Sequence, residues 1–175
     1  SRIGIINILN KMGANIKLEG KKIYNGEKIA NIHVKSKDNL KAINCPPKLN
    51  SSAIDEFLII FLVAAKSKGI SKFKDLGEMN KKESKRLDLG VKFLRSIGIK
   101  VSRFKDNVNI HGNPNLILSK NFEMKNFLKD HRIFFLSCIT ALTLGGKWKI
   151  TDKDSINTSF PNFIKILKKI GAQIH

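Results

Sequence analysis

The charged run KKESKR at residues 81–86 is the densest group of residues able to do chemistry. Lys82 and Arg86 are four residues apart, so on a helix they share one face. With the free N–H groups of a helix start they can hold a phosphate or a carboxylate, and Glu83 beside them can transfer protons. A solvated first turn is the alternative, but cations oppose the dipole of a helix start, which favours a bound anion.

Two aspartates, Asp55 and Asp130, take matching positions at the starts of apolar helices. The simplest role of each is an N-cap, because a helix start offers free N–H groups and a favourable dipole. Each has a polar neighbour on the same turn, Glu56 in one case and His131-Arg132 in the other. Charged residues on the first turn of a buried helix indicate a cleft there, and a buried Arg132 needs an anionic partner.

The elements that must position these residues occur twice. Asp55 lies 43 residues before Gly98, and Asp130 lies 41 residues before Gly171. Counted back from each glycine, offsets 1, 4, 7 and 11 carry the same apolar stripe: Ile97, Leu94, Val91 and Leu87 in one copy, and Ile170, Leu167, Ile164 and Phe160 in the other. Such periodicity fixes an architecture of stacked units, here strand–helix–strand–helix–strand–strand.

The units predict a single α+β domain over residues 1–175, with helices inside and sheets outside. A partial repeat covers residues 1–39, a complete repeat 40–112 and a partial repeat 113–175. The main predicted elements are a hairpin turning at 19–22, a strand at 40–45, helices at 54–68, 82–97 and 131–144, a hairpin within 99–111 and a strand at 148–151.

Composition limits the classes of function. With 33 basic and 14 acidic residues the net charge is +19, which favours an anionic partner such as nucleic acid, acidic lipid or a phosphorylated metabolite. The sequence contains no Lys/Arg block typical of a nucleic-acid tail, and its longest apolar run, 57–65, is too short to span a bilayer. Walker, dinucleotide, zinc and Ser-His-Asp patterns are absent from the sequence. Cys45 and Cys138 are predicted to be free thiols. Free thiols are typical of a reducing compartment, so we expect a cytoplasmic protein.

The motifs together resemble the C-terminal part of the 5-enolpyruvylshikimate-3-phosphate synthase family of the shikimate pathway. The matching stretches keep their order and spacing across nearly the whole chain: 54–56, 82–86, 130–133 and 158–163. Thr-Ser-Phe-Pro at 158–161 is most similar to the glyphosate-tolerant bacterial class, because other members have Lys before Thr-Phe-Pro. The chain departs from the family pattern at Leu58, Asn80, Lys81, Lys85 and Phe134-Phe135.

The resemblance implies the inside-out barrel domain of enolpyruvyl transferases, one half of a two-domain enzyme with its active site in the interdomain cleft. The implied reaction transfers the enolpyruvyl group from phosphoenolpyruvate to the 5-hydroxyl of shikimate 3-phosphate and releases phosphate, with no metal and no organic cofactor. The implied site residues are the base Asp55, the shikimate 3-phosphate contact Lys82, the acid Glu83, the phosphoenolpyruvate clamps Arg86 and Arg132, and the neighbours His131 and Thr158.

The implied partners are the two anionic substrates and the N-terminal domain of the same enzyme, rather than nucleic acid or a membrane. Because the chain begins at Ser1 inside a helical pattern, we expect a piece of a longer protein that is inactive alone. Two alternatives remain open. One is another enolpyruvyl transferase such as UDP-N-acetylglucosamine 1-carboxyvinyltransferase, which lacks the Lys-Glu-Ser-x-Arg and Asp-His-Arg combination. The other is a basic nucleic-acid-binding module.

Overall fold

The structure is a computed structural model that describes residues 3–125, 127 and 129–175, so the predicted beginning of the first helical pattern at Ser1-Arg2 lies outside it. The helices and strands, in chain order, are α1 (Gly4–Lys11), β1 (Asn15–Tyr24), β2 (Glu27–Lys35), α2 (Asn50–Ala53), α3 (Phe57–Lys66), β3 (Gly69–Phe73), α4 (Arg86–Ser96), β4 (Val101–Phe104), β5 (Asn107–Gly112), β6 (Asn121–Met124), α5 (His131–Leu144), β7 (Lys147–Ile150) and α6 (Phe163–Lys169).

Helix α3 forms the centre of the core. Its sequence FLIIFLVAAK is apolar on every side, which requires burial on every side. It packs against α1, α4 and α5, and Phe57 and Phe61 meet the ring of Phe73 from β3 at centroid distances of 5.9 and 5.1 Å. The predicted α+β fold, with helices inside and sheets outside, is confirmed.

Among the described residues, three small sheets pack around these helices. The largest has the order β3-β5-β4 with antiparallel pairs, β1 and β2 form a hairpin, and β6 lies parallel to β7. The predicted strand at 40–45 runs parallel to β3 through two isolated bridges, Lys41 to Lys68 and Asn44 to Lys72. Elements from residue 40 to residue 112 thus follow the order of one βαβαββ unit, and the division of the chain at residues 39 and 112 stays a prediction.

The hairpin of β1 and β2 turns at a different place from the one predicted. A turn was expected at residues 19–22, but β1 continues through them with a bulge between Glu19 and Lys22. The turn is Asn25-Gly26, with φ of 49° and 80°. Asn-Gly is the preferred pair for a two-residue hairpin turn, because both positions need positive φ.

Two helices begin later than predicted, and both differences shape the functional site. Asp55 does not open a helix; it lies in the turn between α2 and α3. Helix α4 begins at Arg86 rather than Lys82, because residues 77–81 form a 3₁₀ turn that brings Asn80 to its N-terminus. Asn80 Oδ1 accepts the N–H groups of Leu87 at 3.0 Å and of Asp88 at 3.3 Å.

Candidate active site

A cluster of charged side chains forms where three segments meet. The first is the turn between α2 and α3, the second is the segment at residues 82–86 that leads into α4, and the third is the start of α5. Asp55 lies at its centre. Its carboxylate is 3.8 Å from Lys82 Nζ, 3.5 Å from Arg86 Nη1 and 3.6 Å from Arg132 Nη2. Its backbone carbonyl also accepts a hydrogen bond from Arg132 Nη1 at 2.7 Å. One carboxylate therefore gathers three cations around one point.

Arg86 is the most buried member of the cluster, with a side chain only 2% exposed. Its guanidinium faces three carboxylates: Nη2 donates to Glu83 at 2.6 Å, Nε to Asp130 at 3.2 Å, and Nη1 lies 3.5 Å from Asp55. A buried guanidinium is tolerated only with such partners. In this arrangement Arg86 organises carboxylates rather than offering an open anion site.

Asp130 confirms the predicted N-cap of α5, because its Oδ1 accepts the N–H groups of Arg132 at 2.9 Å and Ile133 at 3.3 Å. Burial alone would raise the pKa of the Asp130 carboxyl. The hydrogen bond from Ser84 and the charge of Arg86 outweigh burial, so its pKa lies below the ordinary value of 3.8. Asp130 is therefore an anion throughout the neutral range.

Glu83 is the exposed carboxylate of the cluster, with a side chain 73% accessible to solvent. A hydrogen bond from its own backbone N–H and the nearby charge of Arg86 lower its pKa below the ordinary value of 4.5. While Glu83 is paired with Arg86 it carries no proton at neutral pH. It can act as an acid only after that pairing is broken.

The structure brings together five of the residues predicted for the site: Asp55, Lys82, Glu83, Arg86 and Arg132. The prediction that Lys82 and Arg86 share one face of a helix is wrong. Lys82 has an extended backbone, with φ −82° and ψ −172°, and precedes the helix. The two cations meet instead through Asp55. A helical-spacing rule cannot detect this arrangement.

The structure places the two predicted neighbours, His131 and Thr158, on different segments. His131 opens α5, and its ring meets Phe135 at a centroid distance of 5.9 Å. Thr158 is exposed in the turn at residues 157–159. The ring of Phe135 also lies 6.3 Å from that of Phe160, two residues after Thr158. Aromatic contacts thus connect the loop of Thr158 with the first turn of α5.

Two polar residues of the site were not among those predicted for it. Ser84 is buried and its Oγ donates to Asp130 Oδ2, and Asn80 caps α4 and donates to Asp88 Oδ1 at 2.8 Å. In the sequence, Ser84 can be recognised only as the uncharged hydroxyl residue within the run KKESKR. For Asn80 the capping contact starts from a 3₁₀ turn that precedes the helix, and a local sequence pattern does not specify that turn.

The charges of the cluster balance. Asp55, Glu83 and Asp130 face Lys82, Arg86 and Arg132, three formal charges of each sign. Lys82 and Arg132 are the accessible cations, with side chains 33% and 28% exposed. Such a site can bind an anion at its outer cations and hold carboxylates ready for proton transfer. Over the part of the chain that the structure describes, no group of three His, Cys, Asp or Glu residues is placed to hold a metal ion.

Asp130 makes the stability of the domain depend on pH in acid. Its pKa is lower in the folded than in the unfolded chain, so its contribution is complete above the unfolded value and is lost as the pH falls through the folded value. We expect the free energy of unfolding to fall steadily below about pH 4. Asp130→Asn, which keeps the shape, should lower stability at pH 7 and flatten this acid limb in urea titrations followed by circular dichroism.

The exposed Asp38 supplies the control for this experiment. Asp38→Asn should leave both the neutral stability and the acid limb unchanged. An Asp130→Asn chain with the parent's acid limb would show that other carboxylates cause the acid sensitivity.

Solved structures with a similar fold are enolpyruvyl transferases. An EPSP synthase from Acinetobacter baumannii superposes with a TM-score of 0.89 and 31% identity, over 98% of this chain and 39% of that chain. The enolpyruvyl transferase NikO from Streptomyces tendae superposes with a TM-score of 0.60 at 13% identity, a likeness of fold alone. The fold is therefore that of the enolpyruvyl transferases.

Sequence comparison gives the family. The model of the family EPSP synthase (3-phosphoshikimate 1-carboxyvinyltransferase) matches residues 1–167, so the chain belongs to that family. A 3-phosphoshikimate 1-carboxyvinyltransferase of Ruthia magnifica is 37% identical over 175 residues, and that of Geobacter metallireducens is 34% identical over 173. These alignments cover 100% and 99% of this chain but only 39% of each relative, so the chain spans well under half of their length.

None of the helices among the described residues is long and apolar enough to cross a membrane.

Proposed function

We propose that this chain supplies one half of the active site of a 3-phosphoshikimate 1-carboxyvinyltransferase. The observation that carries the proposal is the Asp55 carboxylate, which lies within 3.8 Å of three cations and shares one of them, Arg86, with the exposed carboxylate of Glu83. The substrates, shikimate 3-phosphate and phosphoenolpyruvate, are both highly anionic. A site that pairs proton-transfer groups with fixed cations fits an addition–elimination between two such molecules.

The first step in this proposal is an addition. Asp55 takes the proton of the 5-hydroxyl of shikimate 3-phosphate while Lys82 contacts that oxygen, which attacks C2 of phosphoenolpyruvate. Glu83, which takes up a proton from solvent once an anion has displaced it from Arg86, delivers that proton to the methylene carbon C3, so the double bond becomes a methyl group on a tetrahedral centre. In the second step that methyl group returns a proton to Glu83, the double bond re-forms, and phosphate leaves with the proton that Asp55 took from the hydroxyl. Arg86 and Arg132 stabilise the charge on the carboxylate and phosphate.

The contacts of Arg86 suggest how anion binding prepares Glu83. Of the three carboxylates on Arg86, only Glu83 is exposed, so it is the partner that an incoming anion displaces at least cost in hydration. Once displaced, Glu83 keeps the hydrogen bond from its own backbone, the largest cause of its lowered pKa, but loses the further lowering by Arg86. The pKa of the free carboxyl then moves toward its ordinary value, which suits a proton donor better.

The proposal also covers the partner domain of the site and the cellular compartment of the enzyme. The remaining substrate contacts come from an N-terminal domain, which this chain would meet across the cleft. We place the enzyme in the cytoplasm, because Cys45 and Cys138 are free thiols and reduced cysteines are typical there. The chemistry requires neither a metal nor an organic cofactor.

Binding of phosphoenolpyruvate to the chain tests the proposal. We expect saturable binding at one site, followed by nuclear magnetic resonance, and at least tenfold weaker binding by Arg132→Ala. Arg132 is a partly exposed cation at the mouth of the cluster, and a hydrogen bond to a charged group contributes about 1.5–3 kcal/mol. Its removal should leave the fold intact, because Lys82 and Arg86 still accompany Asp55.

Arg103 provides a matched control, since its side chain is 27% exposed and also pairs with an aspartate, Asp88. Arg103→Ala should bind phosphoenolpyruvate as the parent does. Equal weakening by both variants would indicate attraction by net charge alone. Tight RNA binding that falls steeply with salt would instead support the nucleic-acid-binding module, for which the net charge of +19 is the only specific observation.

We further propose that the enzyme belongs to the glyphosate-tolerant class, on the strength of Thr-Ser-Phe-Pro at residues 158–161. The exposed turn that carries Thr158 leaves space for a longer side chain. In an enzyme completed with its other half, Thr158→Lys should lower the glyphosate concentration for half-inhibition about tenfold, because it adds a cation to the site.

Asn157→Lys, which adds the same charge one residue earlier in the exposed turn, is the control for this substitution. It should change glyphosate inhibition much less. An unchanged half-inhibition concentration in Thr158→Lys would remove the basis of the class assignment.

A further inference from the structure

The carboxylate of Asp130 has all its hydrogen-bonding capacity in use. Oδ1 accepts from the backbone N–H groups of Arg132 and Ile133, and Oδ2 accepts from Ser84 Oγ and from Arg86 Nε at 3.2 Å. A carboxylate has about four acceptor sites, and this side chain is only 1% exposed. Asp130 therefore has nothing left to offer a substrate, and any effect on the reaction must pass through the groups that it holds.

Ser84 holds Arg86 in two ways. Its backbone carbonyl accepts the N–H of Arg86 at 2.7 Å, which fixes the main chain where α4 begins. Its hydroxyl donates to the same oxygen of Asp130 that accepts Arg86 Nε. Both contacts are buried, since Ser84 and Arg86 are both almost fully shielded from solvent. The hydroxyl is thus part of the support for the guanidinium.

We propose that Ser84 and Asp130 form a positioning pair that sets the orientation of the Arg86 guanidinium, a role that rests on the proposed function of Arg86. With Nε fixed on Asp130, the other edges of the planar fork face Asp55 and Glu83. The same carboxylate also caps the first turn of α5 through the N–H of Arg132. One buried group therefore fixes both arginines relative to the central aspartate.

The proposal requires the hydroxyl of Ser84 and not only its volume. An alanine there would leave one acceptor site of a buried carboxylate unfilled, and an unmade hydrogen bond in such a place is costly. Asp130 would then draw Arg86 or water toward the empty site, and the guanidinium would lose its single orientation. Threonine keeps a hydroxyl and should restore the contact.

Solvent exchange of the Arg86 Nε–H, measured by nuclear magnetic resonance on the ¹⁵N-labelled chain, tests the pair directly. In Ser84→Ala we expect exchange at least tenfold faster than in the parent, and an upward move of the Asp130 pKa followed by its ¹³C-carboxyl shift. Ser84→Thr should return both quantities to within about twofold of the parent. Because no substrate is present, the result does not depend on whether the chain takes part in enolpyruvyl transfer.

Ser67 is the matched control, because it is buried and its Oγ donates to a backbone carbonyl, that of Ala64, at 2.8 Å. Ser67→Ala should destabilise the domain without changing the exchange of Arg86 Nε–H. If Ser84→Ala does not fold, Asp130→Asn carries the same expectation for Arg86. Unchanged Arg86 exchange in the folded variant, equal acceleration by Ser67→Ala, or failure of Ser84→Thr to restore slow exchange would each overturn the proposal.

Discussion

The chain alone is expected to show no measurable release of phosphate from phosphoenolpyruvate and shikimate 3-phosphate. It spans only 39% of the length of its relatives, and under the proposed function the remaining substrate contacts come from the other domain. Holding two reactants in the correct geometry contributes roughly 7–11 kcal/mol to barrier lowering, equivalent to effective molarities of about 10⁵–10⁸ M. Adding the complementary part of the Ruthia magnifica relative should therefore raise phosphate release by at least about 10⁵-fold.

Asp55→Asn supplies the control for reconstitution, because it retains the shape of the central residue and removes its capacity as a base. The reconstituted variant should lose about 10²–10⁴-fold in turnover, the usual contribution of acid–base catalysis. Turnover by the isolated chain similar to that of the reconstituted enzyme would show that the cluster is already a complete active site. Reconstitution without any activity, but with proven association of the two parts, would contradict the proposed reaction.

Arg86→Met is expected to destabilise the domain more than any other single change in the cluster. It leaves the carboxylate of Asp130, 1% exposed, without its cation, and removes one of the cations next to Asp55. Breaking a buried ion pair from one side costs about 3–5 kcal/mol, a large part of a total stability of about 5–15 kcal/mol. Urea unfolding followed by circular dichroism measures the loss.

Two further variants test the cause of that loss. Arg103→Met breaks a pair whose side chains are 27% and 40% exposed, so it should cost no more than about 1 kcal/mol. The double variant Arg86→Met/Asp130→Asn should be more stable than Arg86→Met, because it removes the uncompensated buried charge. A double variant with simply additive losses would mean that packing of the arginine side chain, rather than its charge, stabilises this site.

Helix α5 shows what the sequence is sufficient to predict. Its bounds, residues 131–144, were predicted and found identical, because every determinant is local: Asp130 caps its start, an apolar run follows, and Gly145 ends it with φ 84°. The buried character of α3 was likewise predictable from an apolar run without a polar face.

The start of α4 shows where local patterns are insufficient. The charged run at 81–86 is compatible with a first helical turn, and nothing within it excludes a start at Lys82. The 3₁₀ turn and the Asn80 cap select Arg86 instead. Only this later start places Arg86 Nη1 and Lys82 Nζ on the same oxygen of Asp55.

The proximity of five residues of the candidate site was predictable, but the geometry in which they meet was not. Asp55, Lys82, Glu83, Arg86 and Arg132 all stand out by residue type and place in the chain, and the structure brings them together. The burial of Arg86 among carboxylates depends on contacts between residues 31 and 44 positions apart. A single sequence carries no direct record of such pairs, and the hydroxyl of Ser84 was missed for the same reason.

Because the charges within the cluster balance, different parts of the chain attract an anion from a distance and hold it once it is bound. Six neighbouring charges that cancel exert little force on an ion that is still about one Debye length away, about 8 Å at physiological salt. The long-range attraction therefore comes from the rest of a chain with a net charge of +19. Raising the ionic strength should accordingly lower the association rate of an anion much more than it raises the rate of dissociation from the cluster.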